Sequence, residues 1–418
     1  MTDHRSVTNA TPSPRLVPVT EHEQRVSALL TPTPVDSRAL DECLGLALAE
    51  DVTAPIPLPP FDNSAMDGYA VRSADLAEVD EQHPVTLPVT ADIPAGRVEL
   101  PALEPGTAHR IMTGSQVPPG ADATVPVEHT DSGTERVRVS TPVRVGAHLR
   151  RAGEDVAAGD TVLTAGTTLT AAHLGVASAV GTAQLSVHRP PQVLVLSTGS
   201  ELVEPGLPLR PGQIYESNGI MLAAAVRQAG GSARLLRFVP DDVTAFHEAL
   251  APHLDSTDLI ITSGGVSAGA YEVVKDALAG SGVAFTKVAM QPGMPQGAGR
   301  YFTGNGAGTP VVTLPGNPVS AMVSFEVFVR PALRRAAGHH TTRRPFRQAV
   351  LTEQLGSSAG KRQYRRARFD PSSGTVTPEG GPGSHLLSSM ASANCLLEVP
   401  EDATELPSGS NVGVWLLE

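Results

Sequence analysis

Three short segments of this 418-residue chain share one arrangement of residue types. Val193-Leu194-Val195-Leu196 runs into Ser197-Thr198-Gly199-Ser200, and Leu259-Ile260-Ile261 runs into Ser263-Gly264-Gly265. Val311-Val312-Thr313-Leu314 runs into Pro315-Gly316-Asn317-Pro318. Each is an apolar run of strand length that ends in glycine, hydroxyl or amide residues. Glycine lets backbone N–H groups turn toward a ligand, and a helix N-terminus beyond the loop favours negative charge. One such loop is more often an ordinary turn. Three in one region point to a site for an anionic small molecule. None is a P-loop, because no GxxxxGK[ST] occurs, and no GxGxxG dinucleotide fingerprint occurs either.

Acids stand beside these loops. Glu201 follows the first, Asp241 and Asp242 follow the apolar run ending at Val239, and Glu272 follows the second loop. Each alone reads as a helix N-terminal acid favoured by the macrodipole. Gathered at one sheet edge, they supply the hard oxygen donors that Mg²⁺ needs against phosphate oxygens. A second cluster, Pro59 to Ala70, packs Asp62, Asn63, Asp67 and Gly68 into a dozen residues, more side-chain chemistry than a turn requires. Arg110-Ile111-Met112-Thr113-Gly114 is its companion, offering a cation and a hydroxyl. A local basic run, Lys361 to Arg368, would on strand alternation put Arg362, Tyr364 and Arg366 on one face, as an anion-facing edge or a solvated one. The histidines form no HxxxH pair and no Ser/His/Asp arrangement.

The elements that must position these residues follow from periodicity. Residues 19–52 read as helical, with one stretch opening at Glu21 and a second after Asp36-Ser37. Residues 61–150 read as strands and turns, from alternation in Val85-Thr86-Leu87 and in Arg136 to Val139. The window Ala171 to Val180 is helical and suggests a return to the first region. From 190 to 337 strands alternate with helices, over Asn218–Gln228, Asp241–Leu254, Glu272–Leu278 and Ser320–Arg335, which predicts a mostly parallel, doubly wound sheet. Ligands of such sheets bind outside the carboxyl ends of the strands, where all three loops fall. Residues 340–418 return to β pattern and predict a small barrel or sandwich.

Composition sets the outer limits. With 40% apolar residues, the chain can bury sizeable cores. A net charge of −12 argues against nucleic acid and acidic membranes as partners. The two cysteines, Cys43 and Cys395, have no zinc spacing and read as small buried hydrophobes. The polar start lacks an apolar signal region and no run is long enough to span a membrane, so a soluble, cytoplasmic chain is expected.

The combination resembles the MoeA family of molybdopterin molybdenumtransferases, related to the E domains of gephyrin and its plant counterparts. The matching stretches are PPFDNSAMDGYAV (59–71), RIMTGSQVPPGADATVPVE (110–128), RRAGEDV (150–156), LSTGSEL (196–202), IYESN (214–218), DLIITSGGVSAGAYEVVK (258–275), TLPGNPVSA (313–321) and GSHLLSSMASANCL (383–396). They run through nearly the whole chain in the family's order.

The resemblance implies a multidomain α/β plus β protein. Its parts are an elongated, discontinuous helical domain (15–52 and 150–188), an inserted β domain (53–149), a central doubly wound molybdopterin-binding α/β domain (189–337) and a C-terminal β barrel (338–418). It implies insertion of molybdate into the dithiolene of adenylylated molybdopterin, with loss of AMP and help from Mg²⁺. It implies a homodimer whose active site lies between the α/β domain of one subunit and the inserted β domain of the other. The adenylyltransferase that makes the substrate and apo-molybdoenzymes are the implied protein partners.

Carried over by motif, Asp62, Thr113, Asp155, Glu201, Asp241, Glu272 and Lys287 are the catalytic candidates, with Glu201 and Asp241 as metal ligands. Thr198, Gly199 and Ser200, then Ser263, Gly264, Gly265 and Ser267, and finally Pro315, Gly316, Asn317 and Ser320 line the substrate site. Arg366 and Ser384 approach it from the C-terminal domain. Two departures stand out. Glu272 replaces the usual Asp, and Gln291 and Met294 stand where family members often carry lysines. Two other readings are weighed against this one: a stand-alone adenylyltransferase, which needs neither the 59–70 segment nor the C-terminal β region, and a non-catalytic scaffold.

Overall fold

The computed structural model describes residues 16–239, 242–264, 273–278, 280–302 and 308–417. Its centre is a six-stranded sheet in the order Ser232–Val239, Gln192–Thr198, Leu259–Ser263, Thr309–Leu314, Pro295–Tyr301, Val283–Lys287. The first four strands are mutually parallel, as the alternating pattern predicts. The last two are added at one edge through antiparallel pairings, Pro295–Tyr301 running against the other five. They escaped the periodicity because Pro295–Tyr301 is built of Gly, Ala, Gln and Arg rather than branched apolar residues. Its glycines have a reason: a side chain at Gly297 would meet Thr313 Oγ1 at 2.1 Å, and one at Gly299 would meet the Gly282 carbonyl at 2.1 Å.

Apolar side chains cover both faces of the parallel strands. Val193, Val195, Ile261, Val312 and Leu314 pack under the helices Asn218–Gln228 and Pro318–Ser324. Leu194, Leu196 and Ile260 pack against Phe246, Leu250 and Val274 on the other side. The helix from Pro318 continues to Ala336 through a π segment, Phe325–Val329. Pro331 accounts for the widening, since it has no N–H to give to the turn before it.

The first helix, Val19–Leu29, belongs in sequence to the N-terminal region but buries its apolar stripe in the α/β core. Within that stripe His22 is fully buried, its ring edge-on to Phe328 at 4.7 Å between centroids. Neither ring nitrogen has a hydrogen-bond partner among the described residues, and burial lowers its pKa to about 4. The folded state therefore keeps His22 neutral where the unfolded chain takes up a proton. This penalty is absent above the ordinary histidine pKa and grows as pH falls toward 4. Stability should drop by about 2 kcal/mol between pH 6.5 and pH 5 on this account, and His22→Leu should remove most of that drop. Thermal unfolding of both proteins at pH 7 and pH 5 measures it. An equal fall in the variant would assign the acid sensitivity to other groups.

The expected second helix after Asp36-Ser37 does not form. Val35–Ala39 is a strand, followed by a single 3-10 turn, Leu40–Glu42. The strand pairs antiparallel with Gln184–His188, which satisfies its backbone groups, and Pro32 and Pro34 just before it disfavour helical entry. Val52–Thr53 pairs in turn with Thr161–Leu163. Segments more than a hundred residues apart in sequence thus close one small core around Cys43, Leu48, Leu169, Leu185 and Val187, and Cys43 is the buried small hydrophobe expected of it.

Between these segments lies a five-stranded sheet in the order Ala123–Pro126, Gly68–Val71, Ala108–Ile111, Val85–Ile93, Arg136–Val139. The two alternating stretches seen in the sequence are partners, with Val85 opposite Val139 and Leu87 opposite Val137. Gly68 has a steric cause: a Cβ there would lie 2.0 Å from the Val125 carbonyl. The C-terminal strands Arg362–Asp370, Thr375–Pro378, Phe346–Leu351, Asn411–Leu416 and Cys395–Val399 pair in a ring, the last returning to the first. That closure makes the region a barrel rather than a sandwich. No helix among the described residues is long and apolar enough to cross a membrane.

Candidate active site

The three glycine loops meet. Ser197 stands opposite Ser263 and Ser263 opposite Leu314, so the parallel strands end level with one another. The Gly264 N–H donates to the Leu314 carbonyl at 3.0 Å, and Gly264 takes φ +93°. A Cβ on Gly316 would lie 3.4 Å from the Gly264 Cα, and one on Gly264 would lie 3.7 Å from the Thr198 carbonyl. The backbones of all three loops are therefore in near contact, which glycine makes possible. Ser263 and Ser320 are buried beneath them, and Ser200 is exposed.

Glu201 folds back over the first loop. A Cβ on Gly199 would sit 2.7 Å from Glu201 Oε2, so the glycine leaves room for the carboxylate. Glu201 is exposed. Asp241, Glu272, Gly265 and Ser267 lie outside the described residues. Among the described residues no cluster of three or more His, Cys, Asp or Glu groups is placed to hold a metal. The donor chemistry at Glu201 nevertheless fits a hard cation.

The third loop is seated against the barrel. Asn317 Nδ2 donates to Ser384 Oγ at 2.8 Å, and the Val319 N–H donates to the Ser384 carbonyl at 3.2 Å. Ser384 thus reaches the N-terminus of the helix that starts at Pro318. Lys287 ends the edge strand. Its register, opposite Pro295, with Gly297 opposite Thr313, sets it two strands along the same sheet edge from the third loop, about 10 Å away. Lys287 is exposed.

The basic run behaves differently from the simple alternation. Arg362 is committed to Glu398 and Glu401, and Tyr364 is buried edge-on to Trp415. Two of the three residues that alternation would place on one anion-facing or solvated face are therefore spent on internal contacts. The ring of barrel strands buries both faces here, which a period-two reading of a half-exposed strand does not anticipate. Arg366 is buried as well and donates to the Gly381 carbonyl of the loop that leads to Ser384.

A second constellation forms in the inserted region. Asp62 accepts from Arg151 Nη1 at 2.6 Å and from the Ala152 N–H at 2.8 Å, and these bonds hold its carboxyl below the usual range. The segment is fixed by strand pairing of Asn63 with Arg150 and by the Val117 N–H on the Asp62 carbonyl at 3.0 Å. Asp155 lies exposed in the same turn, its N–H on the Leu58 carbonyl at 3.0 Å. Thr113 is held by a residue that the motif reading passed over: Asp67 accepts from both its N–H and its Oγ1 at 2.7 Å. The only sequence signal for that role is the acid's place in the dense 59–70 segment. Asp67→Ala should free the Thr113 turn and lower turnover by about ten-fold or more, with little change in melting temperature because the pair is exposed. Steady-state rates beside thermal melts test this. A large loss of stability with unchanged turnover would make Asp67 purely structural.

No hydrogen bond or ion pair among the described residues links the Asp62–Thr113–Asp155 group to the three loops.

Family models match in succession: the MoeA N-terminal region (domain I and II) over residues 17–181, a probable molybdopterin binding domain over 194–335 and the MoeA C-terminal region (domain IV) over 348–417. The chain is 55% identical over 404 residues to molybdopterin molybdenumtransferase 2 of Mycobacterium tuberculosis, covering 95% of this chain and 98% of that protein. It is 38% identical over 426 residues to molybdopterin molybdenumtransferase 1 of the same organism, covering 96% and 98%. The crystal structure of the molybdopterin biosynthesis moeA protein from Pyrococcus horikoshii superposes with a TM-score of 0.79 at 29% identity, covering 96% of this chain and all of that one.

Proposed function

This chain belongs to the MoeA family of molybdopterin molybdenumtransferases, and from that premise we propose that it inserts molybdate into the dithiolene of adenylylated molybdopterin with release of AMP. The observation that carries the reaction is the identity of 55% along nearly the whole length of a protein bearing that name. The inserted β region and the C-terminal barrel are both present, which a stand-alone adenylyltransferase does not need.

The geometry suits the reaction. Adenylylated molybdopterin and molybdate are both anionic, and three converging loops built of glycine, hydroxyl and amide residues suit oxyanions. In this reading Thr198, Ser200, Gly264, Gly316 and Asn317 hold phosphate and molybdate oxygens, with Gly265 and Ser267 as further candidates by motif. Ser384 and Arg366 contribute from the barrel, and Lys287 adds a cation at the sheet edge. Glu201 and Asp241 hold Mg²⁺, which when bound neutralises charge on the phosphate oxygens. Glu201 orients the reacting group from the loop side, and Glu272 retains the charge of the usual Asp with a longer reach. Asp62, Thr113 and Asp155 belong to the site of the neighbouring subunit in a homodimer, which explains why they form a separate constellation within one chain. The setting is the cytoplasm, with the adenylyltransferase delivering substrate and apo-molybdoenzymes receiving product.

The test is direct. Purified protein with adenylylated molybdopterin, molybdate and Mg²⁺ should release AMP and activate an apo-molybdoenzyme. Folded protein that does neither would overturn the assignment.

A further inference from the structure

Glu216 is buried to 2% exposure beside the first loop and lies outside the Asp62 group. It belongs to the Ile214-Tyr215-Glu216-Ser217-Asn218 stretch. Its Oε1 accepts from Ser197 Oγ at 2.9 Å and from the Gly219 N–H at 2.6 Å. The first bond holds the end of the strand that carries Thr198 and Gly199. The second holds the start of the helix Asn218–Gln228. A short parallel ladder, Val203 opposite Tyr215, with the Glu216 N–H on the Val203 carbonyl at 2.9 Å, returns the chain to this point.

Two residues on, Asn218 Nδ2 donates to the Gly316 carbonyl at 2.6 Å, in the third loop. Gly219 is required by the crowding: a Cβ there would lie 2.6 Å from Ser197 Oγ and 3.2 Å from Glu216 Oε1. The second loop is joined to the third through Gly264 and Leu314. Five residues thus tie the first loop to the third, and the third is already tied to the second.

We infer that Glu216 and Asn218 are positioning residues for the reaction, holding the three anion loops as one rigid platform through Ser197 and Gly316. Glu216 acts by accepting two hydrogen bonds and not by its charge, and a preorganised platform lowers the cost of binding the oxyanions. The kinetic part of the inference rests on the reaction proposed above; the structural part does not.

The experiment has two readouts. Hydrogen exchange followed by mass spectrometry reports peptides covering 196–203 and 313–319, and steady-state AMP release separates KM for adenylylated molybdopterin from kcat. Glu216→Ala should speed exchange in both peptides and raise KM by about ten-fold, with a smaller change in kcat. Glu216→Gln, whose amide oxygen accepts the same two bonds, should stay within about three-fold of wild type. Asn218→Ala should speed exchange at 313–319 and leave 196–203 protected.

If Glu216→Ala does not fold, Ser197→Ala removes one donor without altering the backbone and must loosen 196–203. Unchanged exchange in these variants, or a melting-temperature loss with unchanged KM, overturns the inference. So does Glu216→Gln behaving like Glu216→Ala, which would make the charge the active property. A wild type that releases no AMP would count against the reaction instead, while the exchange data still decide the platform.

Discussion

Glu201→Gln is expected to give a folded protein whose AMP release has fallen by at least about 100-fold. Glu201 is exposed and packs into no core, so its replacement should leave the melting temperature within a few degrees. Glutamine keeps the shape that lies over Gly199 and loses the negative charge. A neutral amide oxygen is a poorer ligand for a hard divalent cation, and it cannot balance the cation's charge next to phosphate. The loss should appear in kcat, with a smaller change in KM, because ground-state contacts to the loops remain. Single-turnover AMP release measures this. Wild-type turnover in Glu201→Gln would remove Glu201 from the chemistry and with it the proposed Mg²⁺ site.

The second large effect concerns two dead variants that should revive each other. Asp62→Ala removes the carboxylate that accepts from Arg151 and Ala152, and by itself it should abolish turnover. Suppose the loops of one subunit are completed by Asp62 and Thr113 of the other. A mixed dimer of Asp62→Ala with Glu201→Gln then holds one doubly damaged site and one intact site. Random assortment of the two chains makes half the dimers mixed, so about a quarter of wild-type activity should return. Co-expression with two affinity tags isolates the mixed dimer and raises the expected value to about one half. A site contained within one chain would leave the mixture inactive, whatever its composition.

Much of this was legible in the residues, for physical reasons. The parallel strands are apolar on both sides, so their runs stand out, and the helix Asn218–Gln228 falls where its periodicity predicts. The three loops were visible because glycine next to hydroxyl residues at a strand end is an unusual local composition. The antiparallel edge strands were not visible, since Gly297 and Gly299 are there to fit neighbouring atoms rather than to follow a hydrophobic pattern. Val35–Ala39 misled because its strand character comes from a partner, Gln184–His188, far away in the chain. The same holds for the site. Asp62 and Glu201 stand out by motif as candidates. Asp67 on Thr113, Ser384 on Asn317 and Glu216 on Ser197 are long-range pairings that no local window contains.

In the proposed reaction the three strand-end loops are the anion platform of a molybdenum insertase. A crystal of this protein soaked with AMP, molybdate and Mg²⁺ tests it most directly. Oxyanion density is expected against the loops at Thr198–Ser200, Gly264 and Gly316–Asn317, with a cation beside Glu201. Well-ordered AMP or molybdate bound elsewhere on the chain, with these loops bare, would contradict it.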